Sequence, residues 1–504
     1  MGSLSFISYF TALKDSGRVM LNTALLFYDM RIYFSIITQL LTFISLAFLC
    51  SFPVVSFAAV TQSTRVIPPT TAIQSANVPY ISDAQLLPHY WLNKVSNGSE
   101  VLLTAEQIST RNQQQFSNEP FLTHPLSYAN TLTGEQVRSL ITKVSKIPSA
   151  NRYYSKNNAL TQSDYQGYID EMNLPALTAQ IKVTFAVVTQ RSSLRTFPTL
   201  DRVFNEKLNT DIDRFQESAV FPGEALAVLH TSKNQQWVFV QNYHYRAWVQ
   251  RKDIAFASKK QVQQFIDQPE RIVITGARVY TNVNPAHNAT SEVALEMGVN
   301  LPLITNNTVN TTNVFGQNTY NNYTVLLPTR TAEGYLQLTP TLIAKSADVS
   351  IGFLPLTKNN IVQQAFKFLG ERYGWGHDFN GRDCTGFIGE IFKSFGLYLP
   401  RNSGQQGKSQ VGTNHLFNED TLPNERYRAL TNLAIGDLLY LPGHVAMFIG
   451  YVNNKPYIIH DVHGMEYINT KGQKVVGVLN GVSVTPLLPF KSYIDTMYNI
   501  KRLY

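Results

Sequence analysis

The stretch GRDCTGF at residues 381–387 places Cys384 among small and polar neighbours. The chain has only two cysteines in 504 residues, and the other, Cys50, lies in an apolar segment near the N-terminus. If the N-terminal segment that carries Cys50 is removed, one thiol remains. A single thiol can form neither an internal disulfide nor a cysteine metal site. A free cysteine is usually a small buried hydrophobe, but a position between Asp383 and Thr385 is not apolar. We therefore interpret Cys384 as a candidate nucleophile.

The residues after Cys384 have the spacing of an amphipathic helix. The apolar positions are Phe387, Ile388, Ile391, Phe392 and Phe395, and Gly396 is a natural C′ stop. Asp383 is then the candidate N-cap, and Cys384 lies in the first turn. The unpaired amides and the positive end of the helix dipole favour a thiolate, so we expect a lowered pKa for Cys384. The same amides can donate to an oxyanion.

A thiolate nucleophile needs a general base, normally a histidine, and a third group that orients it. The segment 436–464 offers His444, His460 and His463, with His444 at the start of one predicted strand and the other two at the end of the next. A two-residue hairpin at Asn453-Asn454 would put His463 opposite His444. Pairing with His460 instead requires a bulge or a longer loop. The spacing leaves both pairings open.

The N-terminal residues have the layout of a secretory signal. Arg31 precedes a long apolar run that ends in small residues, which predicts cleavage near Ala58 or Ala59. Met30 is an alternative start, and a retained membrane anchor is the alternative to cleavage. We therefore assign residues 1–59 to a signal-peptide region and residues 60–80 to a linker, with no membrane span left after cleavage.

The rest of the chain is long enough for several domains. Residues 81–178 favour a mixed, mostly helical domain, in which Thr133 is the candidate N-cap of an amphipathic helix with Gln136 at the capping-box position. Short strands over 179–258 predict a small β-barrel, and a looser copy is predicted over 268–352. Residues 355–504 form the predicted catalytic domain. The fold class is therefore α+β and multidomain.

The formal charge of +8 is spread along the chain. It favours weak attraction to anionic surfaces such as a cell wall. No run of lysine and arginine and no nucleic-acid motif is present, so we predict no nucleic-acid partner.

Five elements in order resemble the NlpC-type cell-wall cysteine peptidases, which have a papain-like α+β fold. They are Tyr-Gly-Trp-Gly (373–376), Asp-Cys-Thr-Gly-Phe (383–387), LPRNSGQQ (399–406), GDLLYL (436–441) and HVAMFIG (444–450). The resemblance implies Cys384 as nucleophile, His444 as base and His460 as its orienting partner. It also implies that Tyr373 lies beside the nucleophile.

The order of the predicted domains, with two bacterial SH3-like barrels before the catalytic domain, resembles the γ-D-glutamyl-L-diamino acid peptidases. In that group the first barrel helps to select a free N-terminal L-Ala. Arg401-Asn402-Ser403 stands where that group usually has Arg-Asp-Ser, so one carboxylate for the substrate ammonium is missing. The candidate substrate-binding residues are Tyr373, Asp383, Thr385, Arg401, Asn402, Ser403, Glu217, Tyr243 and Tyr245.

The resemblance implies an exported cysteine peptidase of the periplasm or cell envelope that cleaves the γ-D-Glu–diamino acid bond of peptidoglycan stem peptides. We expect a monomer that needs no metal and no organic cofactor. The alternatives are a non-catalytic cell-wall binding protein, and a related amidase or toxin that acts on a different wall bond.

Overall fold

The computed structural model describes residues 78–305 and 312–504. The predicted signal region, Met30, Cys50 and most of the linker lie outside the described residues. No helix within these two ranges is long and apolar enough to cross a membrane.

The described residues contain ten α-helices. In chain order these are α1 Pro88–Leu92, α2 Ala105–Asn118, α3 Gly134–Val144, α4 Gln162–Glu171, α5 Lys259–Ile266, α6 Lys358–Phe366, α7 Cys384–Lys393, α8 Ser403–Lys408, α9 Pro423–Ala429 and α10 Lys491–Thr496.

The same residues contain twenty-four strands, all of them in antiparallel sheets. They are β1 Thr131–Thr133, β2 Gln180–Lys182, β3 Thr184–Val188, β4 Ser192–Arg195, β5 Gln216–Val220, β6 Ala225–Thr231, β7 Trp237–Gln241, β8 Arg246–Gln250, β9 Ile254–Ala257, β10 Arg271–Ile274, β11 Arg278–Tyr280, β12 Ala294–Glu296, β13 Asn300–Pro302, β14 Asn313–Val314, β15 Gln317–Asn318, β16 Asn322–Arg330, β17 Leu336–Ala344, β18 Val349–Ile351, β19 Thr413–Leu416, β20 Leu438–Leu441, β21 His444–Val452, β22 Lys455–Ile468, β23 Lys474–Pro486 and β24 Asn499–Arg502.

The N-terminal part is helical, and its caps follow from the sequence. The Thr133 side chain accepts a hydrogen bond from the Gln136 backbone amide, and Gln136 Oε1 accepts one from the Thr133 backbone amide, which confirms the predicted capping box of α3. Val137 and Ile141 on α3 are fully buried. They join the core of the following sheet, so α3 is anchored on its apolar face.

Residues 184–257 form one seven-stranded sheet in the order β5-β4-β8-β7-β6-β3-β9. The inward side chains of these strands are almost all apolar and buried. Trp248 is among them and belongs to the core because it is fully buried. Its indole Nε1 donates a hydrogen bond to Ser145 Oγ at 3.1 Å. The strand β5 lies at the end of the sheet order and faces the C-terminal domain through residues 375–380.

Between residues 271 and 351 the strands form four small sheets. Their orders are β13-β10-β18, β11-β12, β14-β15 and β16-β17. A second SH3-like copy in this region stays a prediction.

The C-terminal domain is a six-stranded sheet in the order β19-β24-β20-β21-β22-β23, with α7 packed on β21 and β22. The strands β20 to β22 are apolar on both faces because helices cover both: α7 on one, α9 and α10 on the other. The segment 404–432, which the sequence left without an assigned structure, contains most of α8, all of β19 and α9.

Candidate active site

Cys384 is the first residue of α7, and Asp383 is its N-cap as predicted. Asp383 Oδ1 accepts hydrogen bonds from the Gly386 amide at 2.8 Å and from Thr385 Oγ1 at 3.0 Å. Its Oδ2 accepts one from the Gly376 amide at 3.1 Å. The thiol is 7% exposed and lies close enough to the Val445 amide to receive a hydrogen bond from it. The cap therefore fixes the start of the helix that carries the thiol.

All five N–H groups of Arg401 are used inside the protein. They donate to both carboxylate oxygens of Asp383 (3.1 and 2.7 Å), to Thr385 Oγ1 (2.7 Å), to Ser218 Oγ (2.7 Å) and to His377 Nδ1 (3.1 Å). Asp383, Thr385 and Arg401 are thus hydrogen-bonded to one another inside the protein, around the start of the helix that carries the thiol. Their role in substrate binding stays a prediction.

A β-bulge decides which histidine meets His444. The hairpin at Asn453-Asn454 has two residues, both with positive φ, as the simple pairing requires. The pairing then shifts by one residue between Phe448 and Gly450, so that Met447 lies opposite Ile459. The shift puts His460 on the same face of the sheet as His444.

The two rings of this histidine pair are in direct contact. His444 Nε2 lies 2.9 Å from His460 Nδ1, and His460 Nε2 lies 3.2 Å from Thr485 Oγ1. Two arrangements satisfy both contacts, because the Thr485 hydroxyl can donate or accept. In one of them, His444 Nε2–H donates to His460 Nδ1 and His460 Nε2–H donates to Thr485 Oγ1. In that tautomer His444 Nδ1 keeps a free lone pair, which is the group a general base needs. Thr485 had no distinguishing signal in the sequence.

His463 points elsewhere. Its Nε2 lies 3.3 Å from Asp211 Oδ2, and its ring meets the ring of Tyr373 edge to face at 6.1 Å between centroids. Burial raises the pKa of Tyr373, and the charges of Cys384 and Asp383 raise it further. The role of Tyr373 at the thiol stays a prediction.

The expected lowered pKa of the thiol is wrong. Burial raises the pKa of Cys384 to about 12, and the Asp383 carboxylate adds to this rise. Burial also lowers the pKa of His444 to about 4. The helix dipole favours the thiolate, but desolvation in this closed site is the larger effect. Both shifts favour the uncharged forms, a thiol on Cys384 and an imidazole on His444.

A buried carboxyl group next to the histidine pair was not anticipated. Asp461 is 1% exposed, and its pKa is raised well above the usual range by burial and then by the carboxylates of Asp383 and Glu371. In the printed sequence it was only one more polar residue between two histidines.

The first sheet contains a second hydrogen-bonded cluster of polar side chains, centred on Glu217. Glu217 Oε1 accepts from Thr196 Oγ1 at 2.6 Å, and its Oε2 accepts from the Tyr245 hydroxyl at 2.5 Å. The Tyr245 hydroxyl also contacts the side chain of Asn402. Asn402 is exposed and directly precedes Ser403, the first residue of α8.

The two residues that flank Glu217 hold β5 against the C-terminal domain. Gln216 Nε2 donates to the Gly376 carbonyl at 2.7 Å, and Ser218 Oγ accepts from Arg401. The structure thus brings Glu217, Tyr245 and Asn402 together. Glu217 is the neighbour in sequence of Ser218, which accepts the hydrogen bond from Arg401.

The other barrel tyrosine does not take part in this group. The Tyr243 ring packs on Tyr398 at 5.0 Å between centroids and lies near Lys393, on the wall of a separate cavity. A role of Tyr243 in substrate binding stays a prediction, and the structure places its ring apart from Glu217 and Asn402. Because Tyr243 and Tyr245 alternate along a bent loop that enters β8, spacing alone did not separate them.

Among residues 78–305 and 312–504, no group of three or more His, Cys, Asp or Glu side chains is arranged to hold a metal ion.

Two family models match parts of the chain. Residues 198–250 match the SH3 domain of SH3b1 type, and residues 370–481 match the NlpC/P60 family. The first match lies in the seven-stranded sheet, and the second includes Tyr373, Cys384, His444 and His460.

Curated relatives match parts of the chain at low identity. A Bacillus cereus protein named γ-D-glutamyl-L-lysine dipeptidyl-peptidase is 24% identical over 275 residues, which are 50% of this chain and 70% of that protein. A Bacillus subtilis protein of the same name is 31% identical over 103 residues, 19% of this chain and 30% of that protein.

A solved structure shares the fold of most of the chain. It is an NlpC/P60 endopeptidase from Photobacterium damselae subsp. piscicida, with a TM-score of 0.66 at 16% identity, covering 85% of this chain and 98% of that one.

The neutral thiol generates a prediction about alkylation. With a pKa of about 12 against 9.0 for an ordinary thiol, Cys384 has roughly a thousandth of the thiolate of a free cysteine at pH 7. We expect iodoacetamide to modify Cys384 far more slowly than free cysteine at pH 7, with the rate still rising above pH 9. Mass spectrometry of the peptide that contains Cys384 measures this rate. A rate that levels off near pH 6 would instead indicate a thiolate–imidazolium pair.

Proposed function

We propose that this chain, a cysteine peptidase with an NlpC/P60 domain and an SH3 domain of SH3b1 type, cleaves the bond between γ-D-glutamate and the diamino acid of peptidoglycan stem peptides. Its preferred substrates have a free N-terminal L-Ala. It acts outside the cytoplasm, in the cell envelope, after export directed by the N-terminal residues.

The observation that carries this proposal is the set of groups on α7, β21 and β22. A thiol at the first helical residue, an imidazole with a free Nδ1 and a second imidazole held by Thr485 form a nucleophile, a base and an orienting group. The names of the two Bacillus relatives support the choice of a γ-D-glutamyl bond.

The proposed chemistry starts from the uncharged thiol and imidazole. As the Cys384 sulfur attacks the γ-carbonyl carbon of D-Glu, its proton passes to His444 Nδ1. The negative charge on the carbonyl oxygen is stabilised by backbone amides at the start of α7. His444 then protonates the leaving amine of the diamino acid, and the C–N bond breaks to leave a thioester. A water molecule, deprotonated by His444, hydrolyses the thioester and restores the thiol. His460 stabilises the imidazolium in both steps.

The N-terminal side of the substrate is assigned to Glu217, Tyr245 and Asn402. Glu217 supplies a carboxylate for the ammonium group of L-Ala, and Asn402 supplies an amide oxygen. Asp383, Thr385 and Arg401 are engaged in hydrogen bonds inside the protein. The selectivity of the enzyme therefore depends on Glu217, Tyr245 and Asn402, and on Ser403 at the start of α8.

The proposal is tested by incubating the full chain with L-Ala-γ-D-Glu-meso-diaminopimelate and with the same peptide acetylated at its N-terminus. Mass spectrometry should detect free diaminopimelate from the first peptide, and at least tenfold less from the second. Cys384→Ala should abolish both reactions and leave the circular dichroism spectrum unchanged. Cleavage by that variant would remove Cys384 from the mechanism, and a wild-type chain inert towards both peptides would favour a binding protein or a different wall bond.

The histidine pair predicts unequal effects of two substitutions that are three residues apart. His460→Ala should lower kcat by about 100-fold or more with little change in KM, because the imidazolium formed on His444 loses its partner. His463→Ala should change kcat by less than about threefold. The acid limb of the kcat/KM profile should also move in His460→Ala, which a purely structural role would not cause. The reverse order of the two variants would contradict the contact between His444 and His460.

Asn402 predicts a gain of selectivity. Asn402→Asp adds a carboxylate beside Glu217 and keeps a good N-cap for α8, and a charge-assisted hydrogen bond to the ammonium should lower KM for the free peptide by about tenfold. Steady-state kinetics on the free and acetylated peptides measure the ratio. Asn402→Ala is the matched control and should not improve KM. An equal change for both peptides would place Asn402 outside the amine site.

A further inference from the structure

A separate cavity of about 250 Å³ lies where four parts of the chain meet. We call it the junction cavity. Its lining includes Phe116 from α2, Tyr243 and Glu224 from the first sheet, Arg271 from β10, and Lys393 and Tyr398 from the C-terminal domain. Lys393 ends α7, whereas Cys384 begins it, so about 14 Å of helix separates this cavity from the thiol.

One wall of the junction cavity is aromatic. The rings of Phe116 and Tyr398 lie 5.7 Å apart between centroids, and Tyr243 meets Tyr398 nearly edge to face at 5.0 Å. His124 packs against Phe116 at 5.6 Å. Such a wall presents flat apolar surface to an occupant, as ligand cavities commonly do.

The opposite side of the cavity carries a cation with no anionic partner. Arg271 donates to the carbonyl oxygens of Phe265 (2.7 Å) and Asn300 (2.9 Å) and to Asn300 Oδ1 (2.7 Å). Within the described ranges, Arg271 forms no salt bridge with a carboxylate. Burial lowers the pKa of Arg271 to about 10, which still leaves it charged at pH 7.

The second cation of the cavity is neutralised. Lys393 Nζ donates to Glu224 Oε1 at 2.6 Å, and Glu224 is the only carboxylate in the lining. The lining therefore has a net charge of +1, and that charge belongs to Arg271. Arg271 is half-buried, and a cation that is partly removed from water without a counter-ion is costly. An anion in the cavity would offset that cost.

We propose that the junction cavity is a binding site for a small organic carboxylate with a flat apolar body. The carboxylate pairs with Arg271, and the body packs against Phe116, Tyr243 and Tyr398. Such a ligand contacts the N-terminal helices, the first sheet, the strands after it and the C-terminal domain at once, so it stabilises their arrangement. This site is independent of the proposed hydrolysis.

The test compares benzoate with benzamide, which has the same ring and nearly the same shape but no charge. Isothermal titration of the full chain at pH 7 should give saturable binding of benzoate and at least tenfold weaker binding of benzamide. Arg271→Gln should remove this preference, and Arg138→Gln, an exposed arginine on α3 far from the cavity, should leave it unchanged. No saturable binding of benzoate to the wild-type chain would overturn the proposal.

A second variant guards against loss of structure in Arg271→Gln, since Arg271 also holds the end of α5 through the Phe265 carbonyl. Phe116→Ala removes part of the aromatic wall and keeps the cation, and it should weaken benzoate at least fivefold while the preference over benzamide persists. Benzoate binding that is unchanged in both variants would place the site elsewhere and overturn the proposal. Because the readout is binding, it does not depend on any peptide being cleaved.

Discussion

The buried ion pair between Asp383 and Arg401 is the interaction on which the active site depends. Asp383 is the N-cap of α7 and fixes the thiol at the first helical residue. Arg401 donates hydrogen bonds to both carboxylate oxygens of Asp383 and to Ser218 Oγ on β5. Breaking a buried pair by removing one partner typically costs about 3–5 kcal/mol, because the other charge is left uncompensated. Since Ser218 lies in the first sheet, the geometry of the thiol and the docking of that sheet are coupled through one guanidinium group.

Burial dominates the electrostatics of the candidate site. It raises the pKa of Cys384 and lowers the pKa of His444, so both groups favour their uncharged forms. In the proposed mechanism, charge develops only as the sulfur attacks, and backbone amides, His460 and Thr485 are the groups proposed to stabilise it.

The first sheet contacts the C-terminal domain at two places. Its β5 strand presents Ser218 to Arg401, and the loop before β8 presents Tyr245 to Glu217 and Asn402. Further along the same interface, Glu224 pairs with Lys393 at the far end of α7. The sheet is therefore linked to both ends of the helix that carries the thiol, through Arg401 and Asp383 at its start and directly through Lys393 at its end.

Local patterns in the sequence determined much of the C-terminal domain. The apolar spacing after Cys384, the N-cap at Asp383, the strand Leu438–Leu441 and the Asn453-Asn454 hairpin all follow from interactions within a few residues, and the structure has each of them. The choice between His460 and His463 required the bulge at Ile449, which depends on how both faces of β21 pack and not on the hairpin. The internal use of Arg401 arises from contacts with residues 16 to 24 positions away and with Ser218, 183 positions away. Packing on Tyr398 and contact with Asn402, both more than 150 positions away, separate Tyr243 from Tyr245, and burial raises the pKa of Cys384. Side-chain type and spacing could therefore name the reacting groups, but only tertiary packing, which sets register and excludes water, decided how they are paired and charged.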